Sequence, residues 1–315
     1  MAQTEANPEK TGRRGAELRR RLRIVRQNPP LLAGAIIVSG TVLVALFSGV
    51  IVNPNSYKIL NFPSALCWNN PIYTWGIPNL KACPGKTFYP LGTDNYGRNL
   101  LDMIILAVPL DLEVSLVVVA SATAIGITAG GTAAYVGGWV DEAILRVTDV
   151  FFAIPSLVLG LVLLTTLGQT FPKSGFAIIT FALVIIWWPY YVRLIRSQVI
   201  AEKQKPYVQA LRSVGAGNIR ILFRHIIRNS IYPIFVQGSL DIGGVILVFS
   251  AFTFLGFSPS PQIPELGNLV NAGINNVFIA PWLVLFPGLT IVTISLGFNL
   301  LGDGLRDALD PRFRR

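Results

Sequence analysis

Few residues in this chain could carry acid–base, nucleophilic or metal chemistry. His225 is the sole histidine, and Cys67 and Cys83 are the sole cysteines among 315 residues. A single imidazole cannot anchor a metal cluster, and no His, Cys and carboxylate grouping has ligand spacing, so no metal site is expected. A His-based catalytic triad finds no support either. The run CPGKT at 83–87 ends like a phosphate-binding loop, but that loop needs a second glycine where Leu80 stands. No Gly-rich dinucleotide fingerprint and no strand pattern occur. The chain is therefore expected to be no enzyme and to hold no cofactor of its own. Any uphill work must draw on an ion gradient or on another subunit. One acid, Asp241, stands inside an apolar run at 231–257. An ionisable group there costs at least about 2.5 kcal/mol unless it meets a cavity or a partner. Asp241 either lines a pathway or faces a helix bundle, and its neighbours Gly238, Ser239, Gly243 and Gly244 suit both.

The elements that hold these residues are apolar. Hydrophobic residues make up 52% of the chain and charged ones only 13%, with mean hydropathy +0.56. That leaves too little polar surface to coat a soluble globule of this size. Six stretches, 31–52, 114–136, 150–167, 176–192, 231–257 and 281–301, are long enough to cross about 30 Å of hydrocarbon as helices. An all-α, multi-pass protein of the cell membrane with six transmembrane helices is the expectation.

Charge sets its sidedness. With the N-terminus inside, 21 Lys and Arg fall on the cytoplasmic side and only Lys58, Lys81, Lys86, Arg98 and Lys173 fall outside. The positive-inside bias places both termini in the cytoplasm and accounts for the net +10 without nucleic acid. Residues 1–28 then form a basic cytoplasmic segment, 29–52 the first helix and 53–110 an outer loop. A core at 111–302 contains the cytoplasmic loop 197–230, and 303–315 is a cytoplasmic tail. The first apolar run is long enough to stay as an anchor rather than act as a cleaved signal. Cys67 and Cys83 both lie in the outer loop. They are either two separate thiols or a disulfide worth about 3 kcal/mol.

The cytoplasmic loop has its own design. Pro206 suits a first helical position, and Tyr207, Ala210, Leu211 and Val214 recur at helical spacing. Gly215 and Gly217 can end that helix, and Asn218 is a candidate N-cap for the next. The second helix would set Ile219, Leu222, Phe223, Ile226 and Ile227 on one side and Arg220, Arg224 and Arg228 on the other. A surface-lying helix drawn to anionic lipid would explain the second helix but not the first. A short helix with its own apolar stripe, held off by a glycine turn, asks for a protein groove.

These residues carry a resemblance. YVQALRSVGAGNIRILFRHIIRN (207–229) resembles the cytoplasmic "EAA" loop of ATP-binding-cassette importer permeases, in the C-type branch of the dipeptide/oligopeptide family. LGTDNYGRNL (91–100), FTFLGFSPSP (252–261) and GDGLRDALDPRFR (302–314) are similar to segments of the same family. The resemblance runs from about Pro29 onward and leaves 53–90 unmatched. It implies a type I importer permease fold that forms half of a translocation pathway. Implied partners are a homologous second permease, two cytoplasmic ATPases that bind ATP and Mg, an outer solute-binding protein and the lipid membrane. It further implies that 206–217 is the coupling helix and its turn, with Tyr207, Ala210, Leu211 and Val214 seated on the ATPase and Gly215 turning the chain. Arg220, Arg224 and His225 would support the arm. Departures are Gln209 for the usual Glu, Leu211 for Ala, Arg228 for Pro, and Asn99 and Phe249 for acids. Peptides, or oligosaccharides as in some archaeal relatives, are the implied solutes. The competing reading is an ion-gradient-driven secondary transporter with Asp241 as its coupling acid.

Overall fold

The computed structural model describes residues 28–52, 90–94, 98–170, 175–258 and 263–309. The basic lead 1–27, the Cys67/Cys83 pair and residues 310–315 lie outside that set. Helix α1 (Pro29–Ile51) opens with Pro in its first turn, where no N–H is missed, and the Asn28 side chain accepts from Leu31 N at 3.4 Å.

Helix α2 (Leu100–Val136) begins well before the 114 expected for the second span, and inside the range assigned to the outer loop. Asn99 caps it by accepting from Leu101 N at 3.1 Å. Leu100, Met103, Ile104 and Ala107 then bury one helical face. Pro109, Asp111 and Glu113 interrupt the apolar run and conceal this start in the sequence. Just upstream, Arg98 donates from N and Nε to the Asp94 carboxylate at 2.9 and 2.6 Å, both side chains buried. Among the described residues an isolated antiparallel bridge joins Thr93 to Asn99, which with the Arg98–Asp94 pair ties the start of α2 back to the residues ahead of it.

The third expected span, 150–167, is corrected. Helices α3 (Gly138–Ala153) and α4 (Ser156–Thr170) meet at an 87° bend. Pro155 has no N–H and pushes Ile154 into extended backbone (φ −100°, ψ 127°), which breaks the helix there. Among the described residues five helices are long and apolar enough to span a bilayer, six if the bent pair counts as one span. Helix α3 is fastened to α5 (Gly175–Lys203) by paired Arg196–Asp141 bonds of 2.7 and 2.6 Å. Arg193 bonds Asp149 and lies 4.2 Å over the Phe152 ring.

Helix α5 also packs backbone to backbone on α2. A Cβ on Gly126 would stand 2.8 Å from Tyr191, so only glycine allows this approach. After α5 come α6 (Pro206–Ser213), an interrupted helix α7 over 218–229, and α8 (Ile231–Phe257). The short α9 (Leu266–Ile274) and the long α10 (Trp282–Leu309) complete the described chain. Helix α10 packs along α1 and α8, and Ser295 Oγ donates to Gly243 O at 3.1 Å.

Candidate functional site: the helix–glycine–helix loop

Local chemistry shapes α6 at both ends. Lys205 is extended ahead of Pro206 at the first helical position. At the other end Gly215 N donates to Arg212 O and Ala216 N to Leu211 O, both at 3.0 Å, with Gly215 at φ 76°. This is the paired Schellman closure that a left-handed glycine permits.

The helix does not present its apolar stripe as one face. Val208 is fully buried, and Tyr207 and Leu211 pack half-buried against the same core. Tyr207 Oη donates to Glu202 Oε2 at 3.1 Å, and Lys205 Nζ donates to Glu202 Oε1 at 2.7 Å. Burial, above all, pushes the Tyr207 phenol up from its ordinary value. Gln209, Ala210 and Val214 are exposed, Val214 at 79%. Tyr207 and Leu211 thus face their own chain, whereas the sequence spacing groups them with Ala210 and Val214.

Helix α7 brings two further corrections. Gly217, not Asn218, occupies the N-cap, because the Asn218 side chain accepts instead from Tyr135 Oη at 2.9 Å. The buried row is Ile221, Leu222, Ile226 and Ile227, while Ile219 and Phe223 are exposed. A wide π turn over Ile221–Ile226 shifts the register behind this change. Arg220, Arg224 and Arg228 are exposed, His225 is half-buried, and among the described residues the three arginines make no ion pair. Asp241 lies half-buried on α8, where Oδ1 accepts from Gln237 Nε2 at 3.2 Å. Its Oδ2 is buried without a closed hydrogen bond, with Tyr191 alongside.

Comparison with known proteins places this arrangement. Residues 122–315 match the family model "Binding-protein-dependent transport system inner membrane component". The chain belongs to this family. The permease is 34% identical over 295 residues to the dipeptide transport system permease protein DppC of Alkalihalophilus pseudofirmus, covering 92% of this chain and 88% of that protein. It is 38% identical to the glutathione transport system permease protein GsiD of Pectobacterium atrosepticum, over 71% of this chain and 73% of the relative. It is 39% identical to the probable D,D-dipeptide permease DdpC of Escherichia coli, over 73% and 75%. The permease is accordingly a multi-pass membrane component of a solute importer. These relatives carry the names of peptide and glutathione systems, so the oligosaccharide expectation and the ion-driven reading find no support.

Sequence reading missed several residues of the permease. Tyr135, Glu202 and Val208 give no local signal beyond an aromatic, an acid and a valine near helix ends. Glu265 and Asp111 are also new. Glu265, between the spans, caps α9 by accepting from Gly267 N at 2.9 Å and Asn268 N at 2.8 Å. Burial pushes its carboxyl up to about 7, against these bonds and one from Thr253 that favour the charged form. The fully buried Asp111 of α2 sits beside it, and among the described residues neither acid has a cationic partner.

A carboxyl raised above its ordinary 4.5 stabilises the fold below that value, and the contribution is lost as pH rises through about 7. The purified permease is therefore expected to melt lower at about pH 8 than at about pH 5, and Glu265→Gln is expected to flatten that slope. Thermal melting followed by size-exclusion chromatography checks this. An identical slope in both proteins would remove Glu265 from the account.

Proposed function

We propose that this permease forms half of an ATP-driven import pathway for dipeptides and related short peptides. It would pair with a homologous second permease and two cytoplasmic ABC ATPases that bind ATP and Mg, fed by an outer solute-binding protein. The observation that carries this reading is the exposed outer face of α6, held rigid from behind. Gln209, Ala210 and Val214 face outward, while Val208, Leu211, the Tyr207–Glu202 bond and the Gly215 closure fix the helix. A preorganised helix face loses little entropy on docking, which suits a contact that transmits force. Arg220, Arg224 and His225 would support the arm behind it, the two arginines from its exposed side. The solute class rests on the dipeptide and glutathione names of the relatives.

Co-expression with a second permease and ABC ATPases, followed by reconstitution in liposomes, tests the reading. Uptake of radiolabelled dialanine is expected to need ATP on the ATPase side and to survive a protonophore. Uptake without an ATPase that collapses with the proton gradient would overturn it.

A further inference from the structure

We infer that Tyr135 is the positioning residue that keys the coupling loop to the second membrane span, so that the two move as one body. The inference rests on the proposed docking of α6. Tyr135 lies one residue before the end of α2, at only 9% exposure, and four contacts with the loop region converge on it. Its hydroxyl donates to Asn218 Oδ1 at 2.9 Å, at the start of α7. The Arg212 guanidinium, in the last turn of α6, lies 5.7 Å from its ring centroid. Lys203 Nζ, at the end of α5, lies 5.5 Å from the same centroid. The same ammonium donates to the Tyr135 carbonyl at 2.6 Å, satisfying an end-of-helix acceptor.

One side chain thus touches the end of the docking helix, the start of the helix behind it and the end of α5. Its own backbone continues into a span whose Gly126 and Gly130 lie against the α5 main chain. Phenol, guanidinium and ammonium contacts are each modest, but together they leave the loop no independent position. A push on Ala210 and Val214 from the cytoplasm therefore reaches α2 through Tyr135 rather than through the chain, which must first pass along α5.

The test is the amount of radiolabelled dialanine taken up per ATP hydrolysed by the reconstituted complex. Loss of folded complex lowers uptake and hydrolysis alike, so a merely structural role leaves this ratio unmoved. Tyr135→Phe keeps the ring and its cations and removes only the bond to Asn218. It is expected to lower the ratio about fivefold, the factor one neutral hydrogen bond is worth. Asn218→Ala is expected to match it, and the double variant to fall no further, because both remove the same bond. Tyr135→Leu is expected to lower the ratio by more than about tenfold. A ratio unchanged in Tyr135→Leu, or additive losses in the Phe/Ala pair, would overturn the inference. If Tyr135→Leu does not assemble, the Phe/Ala cycle decides alone. Should Ala210→Asp leave uptake intact, the docking reading itself fails, which is a separate result.

Discussion

Ala210→Asp is expected to abolish ATP-driven uptake while leaving the permease folded and inserted. Ala210 is exposed on α6, so the substitution meets water in the free chain and costs the fold little. Docking changes that. A carboxylate carried into a close-packed contact with no partner loses its hydration, at about 3 kcal/mol or more. That is at least roughly a hundredfold in affinity for the ATPase. Co-purification of the ATPases and dialanine uptake should therefore fall together. Gly168→Ala, on α4 with open space around its Cβ, should leave both as they are. Normal ATPase recovery with the Ala210 variant would remove α6 from the contact. Tyr207 and Leu211 are poorer test positions, because their packing against the chain's own core would confuse docking with folding.

Gly267→Ala should produce the largest loss of stability from a single methyl group. A Cβ there would collide with the Ser250 main-chain oxygen and with Thr253 Oγ1. The first of these is backbone inside α8 and cannot swing aside. Moving α9 instead would strain the Gly267 and Asn268 bonds to Glu265, which hold its first turn. Overpacking of this kind costs about 3 kcal/mol, roughly a 5 °C fall in melting temperature for a chain of this length. Gly168→Ala serves as the matched control and is expected to melt at the wild-type temperature. Equal melting of the two variants would show that the α8–α9 connection yields.

Much of the architecture was readable because its causes are local or additive. Run length and transfer free energy sum along the chain, so the apolar stretches announced helices that can cross a bilayer. The α6 start at Pro206 and its end at Gly215 depend on residues within one helical turn. Two boundaries failed for equally physical reasons. Pro155 sits within an apolar run, and hydropathy does not register the 87° bend that a missing N–H imposes. Asp111 and Glu113 made the first turns of α2 look like loop, although Asp111 is wholly buried.

The sequence by itself determined that this chain is a helical membrane permease with a basic helix–glycine–helix loop, and its motifs pointed to the family. Only the tertiary structure decided which side of that loop is free. Helical spacing groups Tyr207, Ala210, Leu211 and Val214, but the core behind α6 takes Tyr207 and Leu211 and leaves the other two outside. The same holds for Tyr135 and Asn218, bonded across 83 positions, and for the buried Asp111 beside Glu265. Such contacts follow from how helices cross in space, and periodicity within one helix says nothing about its neighbour.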